Sequence, residues 1–225
     1  MIPSVTEKFD RPWVLLCEGP GDHRFFHRLF EVRGIPEKFS IRYPHKDGKW
    51  SGGRGAFGAD LLNISVNEDF ITNVKAILVV SDKDDDPDKS LKEVIAEIKK
   101  AKDLPHPSDH LVVAKKKDQP SVVILMLPLD GKGNLETLCL ESAHAAWGLK
   151  AELDAFVDAC PAKSWGIAKQ SKMRMQTILA ATNDDQPDAG FTAHWTQKPK
   201  YQIPLDNVCF DELVEFLNKF GELIA

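Results

Sequence analysis

The stretch from Trp13 to Phe30, WVLLCEGPGDHRFFHRLF, leaves the chain few ways to fold. It begins with Trp13 to Cys17, a short run of large apolar side chains of the kind that makes a buried strand. Glu18 follows at once, Gly19-Pro20-Gly21 breaks the run, and Asp22 heads a helical pattern in which Phe25, Phe26, Leu29 and Phe30 share one face. Strand, tight turn and helix packed back on the sheet is the repeating unit of α/β folds. It puts Glu18 at the carboxyl edge of the sheet, where such folds keep their sites.

The rest of the chain extends that pattern. Gly34-Ile35-Pro36 ends the first helix, and Phe39 to Tyr43 alternates as a second strand. His45 to Gly58 carries five glycines, three cations and a tryptophan; it reads as a flexible loop or as a mobile loop that touches a phosphate-bearing ligand. It is not a Walker A motif, because no GK[ST] follows the glycines. Ala59 to Phe70 is expected to be a helix, and Val74 to Val80, a nearly continuous β-branched run, the strongest strand. Leu91 to Ala101 follows as an amphipathic helix, then strands at Leu111 to Ala114 and Val122 to Leu127. Helices dominate from Gly133 on: Leu135 to Trp147, Lys150 to Ala159, Gln170 to Thr182 and Asp211 to Phe220, with Asn183 to Gly190 a solvated loop. The expectation is an α/β fold with a largely parallel sheet flanked by helices. Residues 1–130 form its core, and residues 131–225 form a helical C-terminal extension packed on that core.

Composition narrows the function classes. A 43% hydrophobic and 28% charged chain buries an ordinary core. A formal net charge of -5 does not announce a nucleic-acid binder, although lysines cluster at 99–102, 115–117 and 198–200. Cys17, Cys139, Cys160 and Cys209 form no CxxC pair and sit among apolar neighbours, as buried free thiols of a reducing compartment do. The N-terminus lacks the apolar core of a signal peptide, and no apolar run approaches the roughly 20 residues that span a bilayer. The expected location is cytoplasmic, with no membrane partner.

Asp82 stands where the strongest strand ends, and Asp84 follows two residues later. If that strand lies beside the first, Glu18, Asp82 and Asp84 come within a few ångströms of one another. Carboxylates so close raise each other's pKa unless a cation neutralises them, and a hard divalent ion such as Mg²⁺ is the natural partner. Asp86 and Asp88 read instead as first-turn acids of the following helix.

An apolar strand ending in Glu18-Gly19-Pro20-Gly21-Asp22 and a later one ending in Asp82-Lys83-Asp84 resemble the two motifs of the toprim domain. That domain is found in topoisomerases, DnaG-type primases, small RNA-maturation nucleases, recombination mediators and the OLD nucleases. The likeness covers roughly Arg11 to Leu127. Gly133-Asn134-Leu135-Glu136 and the helix holding Lys172 are similar to features of small stand-alone toprim proteins related to the OLD nucleases. The resemblance implies a toprim-like fold and phosphodiester chemistry on DNA or RNA, with two Mg²⁺ (or Mn²⁺) ions ~3.5–4 Å apart. In that scheme Asp82 and Asp84 hold a metal, and Glu18 ligates a second ion or acts as general base. Asp22 orients the site and Glu136 is a further metal ligand. Lys172 or Arg54 offsets charge on phosphorus, and Gly19 and Gly21 let a phosphate approach the helix N-terminus. The other implied reading is a non-catalytic module that binds nucleic acid or a partner in a defence or repair system. A protein partner or a homo-oligomer would help so short a chain hold its substrate.

Rival chemistries fit less well. Receiver domains and haloacid-dehalogenase phosphatases need an aspartyl nucleophile where this chain has Glu18. There is no GxSxG, and His23 and His27, four residues apart, lack the HExxH acid. Trp165 and Trp195 read as packing residues.

Overall fold

The computed structural model describes residues 8–46, 49–50 and 52–225, with the backbone alone at residues 45, 46, 49 and 50. A four-stranded sheet, all parallel, is built from β1 (Trp13–Leu16), β2 (Phe39–Arg42), β5 (Ala76–Asp82) and β6 (Ser121–Leu127), in the order β2-β1-β5-β6. Between β2 and β5 lie a short antiparallel pair, β3 (His45–Lys46) and β4 (Lys49–Trp50), and the helices α2 (Phe57–Ser65) and α3 (Glu68–Asn73). Residues 47, 48 and 51 of the glycine-rich stretch lie outside the described residues.

Strand side chains alternate between two cores. Leu15, Leu78, Val80, Val123, Leu125 and Leu127 face one side. There they meet Phe25, Phe26 and Leu29 of α1 (Pro20–Arg33), together with α5 (Leu135–Trp147), α6 (Lys150–Asp158), α7 (Ile167–Thr182) and α9 (Asp211–Ile224). Val14, Leu16, Ile77, Val79, Val122, Ile124 and Met126 face the other, under α2, α3 and α4 (Pro87–Ile98). Both faces are covered, as a parallel sheet requires. With α8 (Phe191–His194), nine α-helices flank the sheet among the described residues, the α/β arrangement of a parallel sheet between helices that the sequence led us to expect. The helices after residue 131 share a continuous core with the sheet.

Several expected elements differ. Ala59 to Phe70 is two helices, because Asn67 ends the first and accepts from the Phe70 N–H at 3.1 Å to start the second. Leu111 to Ala114 is not a strand: Leu111 has φ +60, and only Ala114 bridges, antiparallel, to Val122. The segment still covers the outer edge of β6, since Leu111 N–H donates to Ile124. The helix expected from Leu91 starts at Pro87, capped by Asp86. All four cysteines are free, but only Cys17 and Cys139 are buried; Cys160 and Cys209 are half-buried. No helix among the described residues is long and apolar enough to cross a membrane.

Candidate active site

Parallel register brings the first two acids together. Leu16 lies opposite Val79, so carrying the β1–β5 pairing two residues further sets Glu18 beside Ser81. Glu18 Oε1 accepts from the Ser81 hydroxyl, from the Asp82 N–H at 3.1 Å and from Arg54 Nη2 at 3.3 Å. The Asp82 carboxylate turns toward the later helices and accepts from the Leu135 N–H, at the start of α5, at 3.0 Å. Glu136 is the next residue of that helix, and Asp22 comes from the first turn of α1.

Glu18, Asp22, Asp82 and Glu136 all line one cavity of about 480 Å³. Lys172, from the second turn of α7, is the cation that lines it among the described residues. Gly19 and Gly21 form its floor at the α1 N-terminus, and Phe191 and Thr192 form a wall.

The electrostatics follow from that crowding. Burial, then the charge of Glu18, then that of Glu136 raise the Asp22 carboxyl from 3.8 to about 7. Burial and the same neighbours, Asp22 first, push Asp82 well above the usual carboxylate range against the pull of Lys172. Burial raises Glu136 too, again opposed by Lys172. Burial works against the charge on Lys172, but Glu136, Asp82, Asp84 and Glu18 outweigh it and raise its pKa. At neutral pH the cavity is a cluster of acids competing for too few positive charges.

Asp84 parts company with Asp82. Its φ is +53, and its backbone is bonded in both directions to Gly133. Its carboxylate accepts from Arg54 Nη2 at 2.9 Å and lines a neighbouring cavity that shares Lys172. Arg54 therefore points into the protein, with its side chain only 12% exposed. Its segment is fixed by the Gly53 N–H bonded to the Glu18 carbonyl. Gly52 packs so closely that a Cβ there would lie 2.5 Å from the same oxygen.

Three contributors had no sequence assignment. Ser81 orients Glu18. Asn134 caps α5 and ties it to α7 through the Ala168 carbonyl at 3.0 Å; its position between Gly133 and a helical run is an N-cap signature. Asp85 accepts from the Ala168 N–H at 3.1 Å, near the start of α7. The histidines go elsewhere: His23 and His27 line a cleft of about 850 Å³ on another face of α1. That larger cleft gathers no acids of this kind, and its arginines are engaged, Arg11 by Glu37, Arg28 by Glu31 and Arg24 by the Thr192 carbonyl.

The donors are all carboxylates, the set that suits a hard divalent cation. Among the described residues no three His, Cys, Asp or Glu side chains converge tightly enough to hold an ion by themselves. Mg²⁺ commonly takes one or two carboxylates and completes its shell with water and phosphate oxygens. The residues fit an open site of that kind. They do not form a closed cage.

A solved structure of the C-terminal region of the Xanthomonas campestris pv. campestris OLD protein is similar to this chain at 12% identity and a TM-score of 0.41, covering 96% of this chain and 98% of that one. No curated protein matches the sequence. A family model does match, over residues 12–222, and the chain belongs to that family, described as DUF3226, protein of unknown function.

Proposed function

We propose that this protein is a Mg²⁺- or Mn²⁺-dependent phosphoryl-transfer enzyme that hydrolyses phosphodiester bonds in nucleic acid. One observation carries the reading: Glu18, Asp22, Asp82 and Glu136, from three separate chain segments, line one cavity, and burial with the crowding there raises the proton affinity of Asp22, Asp82 and Glu136. Half-buried acids set against each other cost stability, and strongly perturbed acids gathered in a cleft are characteristic of functional sites. Asp82 and Glu18, with Glu136 across the cavity, would hold the ion. A bound ion would supply Lewis acidity toward a phosphate oxygen and lower the pKa of a bound water.

The protein's own residues do the rest. Ser81 and the Asp82 N–H hold Glu18 in one orientation. Asp22, raised to about 7, can hold or release a proton at neutral pH, as a general acid or base must. Lys172 faces the cavity as a full positive charge and meets the charge that builds on phosphorus. Because the chain carries a net charge of -5, a nucleic acid would be held locally, through the ion and Lys172, rather than by a broad basic surface.

The test is cleavage of plasmid DNA, single-stranded DNA and RNA with Mg²⁺ or Mn²⁺, wild type against Asp82→Asn. Cleavage lost by a hundredfold or more in the variant is expected. No cleavage of any substrate by the wild type, or equal cleavage by both, would refute the reading.

A further inference from the structure

Arg54 occupies ground that a second ion would need. Its Nη2 donates to Glu18 Oε1 at 3.3 Å, to Asp84 Oδ2 at 2.9 Å and to the Asp82 carbonyl at 2.6 Å. Nε donates to Ser81 Oγ at 2.9 Å and Nη1 to Glu93 at 3.0 Å. All three guanidinium nitrogens are spent on the end of β5 and its surroundings. We propose that Arg54 stands in for a second divalent ion, so that the site takes one ion per chain, on the side of Asp82 that faces Asp22, Glu136 and Lys172. The inference rests on the metal-dependent reading above and specifies its stoichiometry.

Three features support it. First, the cluster is lopsided: Glu18 and Asp84 share a resident cation, whereas Asp22 and the Asp82 carboxylate have no ion pair within 4 Å among the described residues. Second, a guanidinium never deprotonates, so an incoming ion cannot neutralise Arg54 as it can a lysine. An ion between Glu18 and Asp84 would have to expel the side chain and break all five hydrogen bonds. Third, Arg54 is not delivered by a free arm. Gly52 and Gly53 pin its segment to the Glu18 carbonyl, and a 3₁₀ turn, Arg54–Ala56, begins at once. Its fork matches the spacing of several acceptors at once, which a point-charge lysine cannot do.

The experiment counts ions without reference to cleavage. The full chain is titrated with Mn²⁺ in the absence of nucleic acid, and free ion is followed by electron paramagnetic resonance. Wild type is expected to saturate at one Mn²⁺ per chain. Arg54→Met should take two, and Arg54→Met with Asp84→Asn should return to one. Circular dichroism checks that the variants fold; should Arg54→Met fail to, Arg54→Gln, which removes the charge but keeps a polar head, is expected to take two. Two ions on the wild type, or a single ion on folded Arg54→Met or Arg54→Gln, would overturn this inference and leave the metal-dependent reading standing. No ion on the wild type would overturn both.

Discussion

Replacing Asp22 with asparagine should make the metal-free protein more stable, and only at pH values where the acid would be charged. Asp22 is raised from 3.8 to about 7 by burial and by Glu18. Each tenfold change in acidity is worth ~1.4 kcal/mol, so the shift sets a ceiling of about 4 kcal/mol on what its ionisation costs the native state. Water reaching the cavity screens part of this, and we expect a gain of roughly 1–3 kcal/mol for Asp22→Asn at pH 8. The sign is fixed by which state binds the proton. Between 3.8 and about 7 the native carboxyl keeps its proton while the unfolded one loses it, so native stability falls as pH rises through that window and levels off above it. The gain of the variant should therefore be small near pH 4 and grow to a plateau above pH 7. Urea unfolding of both proteins at pH 4.5 and pH 8 measures it, with millimolar Mg²⁺ as a second arm that should shrink the gain by neutralising the cluster. An Asp22→Asn variant equally destabilised at both pH values would refute the account of the cavity as mutually repelling acids.

Two further outcomes follow from particular contacts. Arg42 on β2 and Asp60 on α2 form an ion pair at 2.7 Å with side chains only 4% and 2% exposed; Arg42→Leu should cost about 3–5 kcal/mol by breaking this buried pair, as urea titrations of the variant would show. A Cβ at Gly166 would stand 2.0 Å from Asp85 Oδ2, so Gly166→Ala should cost about 1–3 kcal/mol, and far less in an Asp85→Ala background, as a double-mutant cycle would show.

The sheet and both of its terminal acids are legible in the sequence, because Trp13 to Cys17 and Val74 to Val80 are apolar runs whose length and ends leave little choice. Glu18 beside Ser81 and Asp82 then follows from strand adjacency alone. Glu136 and Lys172 entered through a family resemblance rather than spacing, and their place on the same cavity depends on how α5 and α7 dock. The unforeseen features are the tertiary ones. Arg54 lies in a glycine-rich segment with no periodicity, so nothing local told whether it faces solvent or Glu18. The parting of Asp82 from Asp84 hangs on one left-handed residue bonded to Gly133, and a D-x-D pattern carries no trace of that bond. Val66 and Asn67 split a helix because an asparagine side chain caps better than it continues.

The α5–α7 junction has a consequence for how this molecule comes into being. Asn134 reaches across to the Ala168 carbonyl, and the Thr137 hydroxyl to Ser171 at 2.8 Å, so the two helix starts are stitched together directly behind the cavity. Glu18, Asp22 and Asp82 leave the ribosome early, whereas Glu136 and Lys172 arrive late and are seated by that stitch. A growing chain halted near residue 130 would display bare acids and no finished cavity. The cavity is complete only when α5 and α7 are both in place.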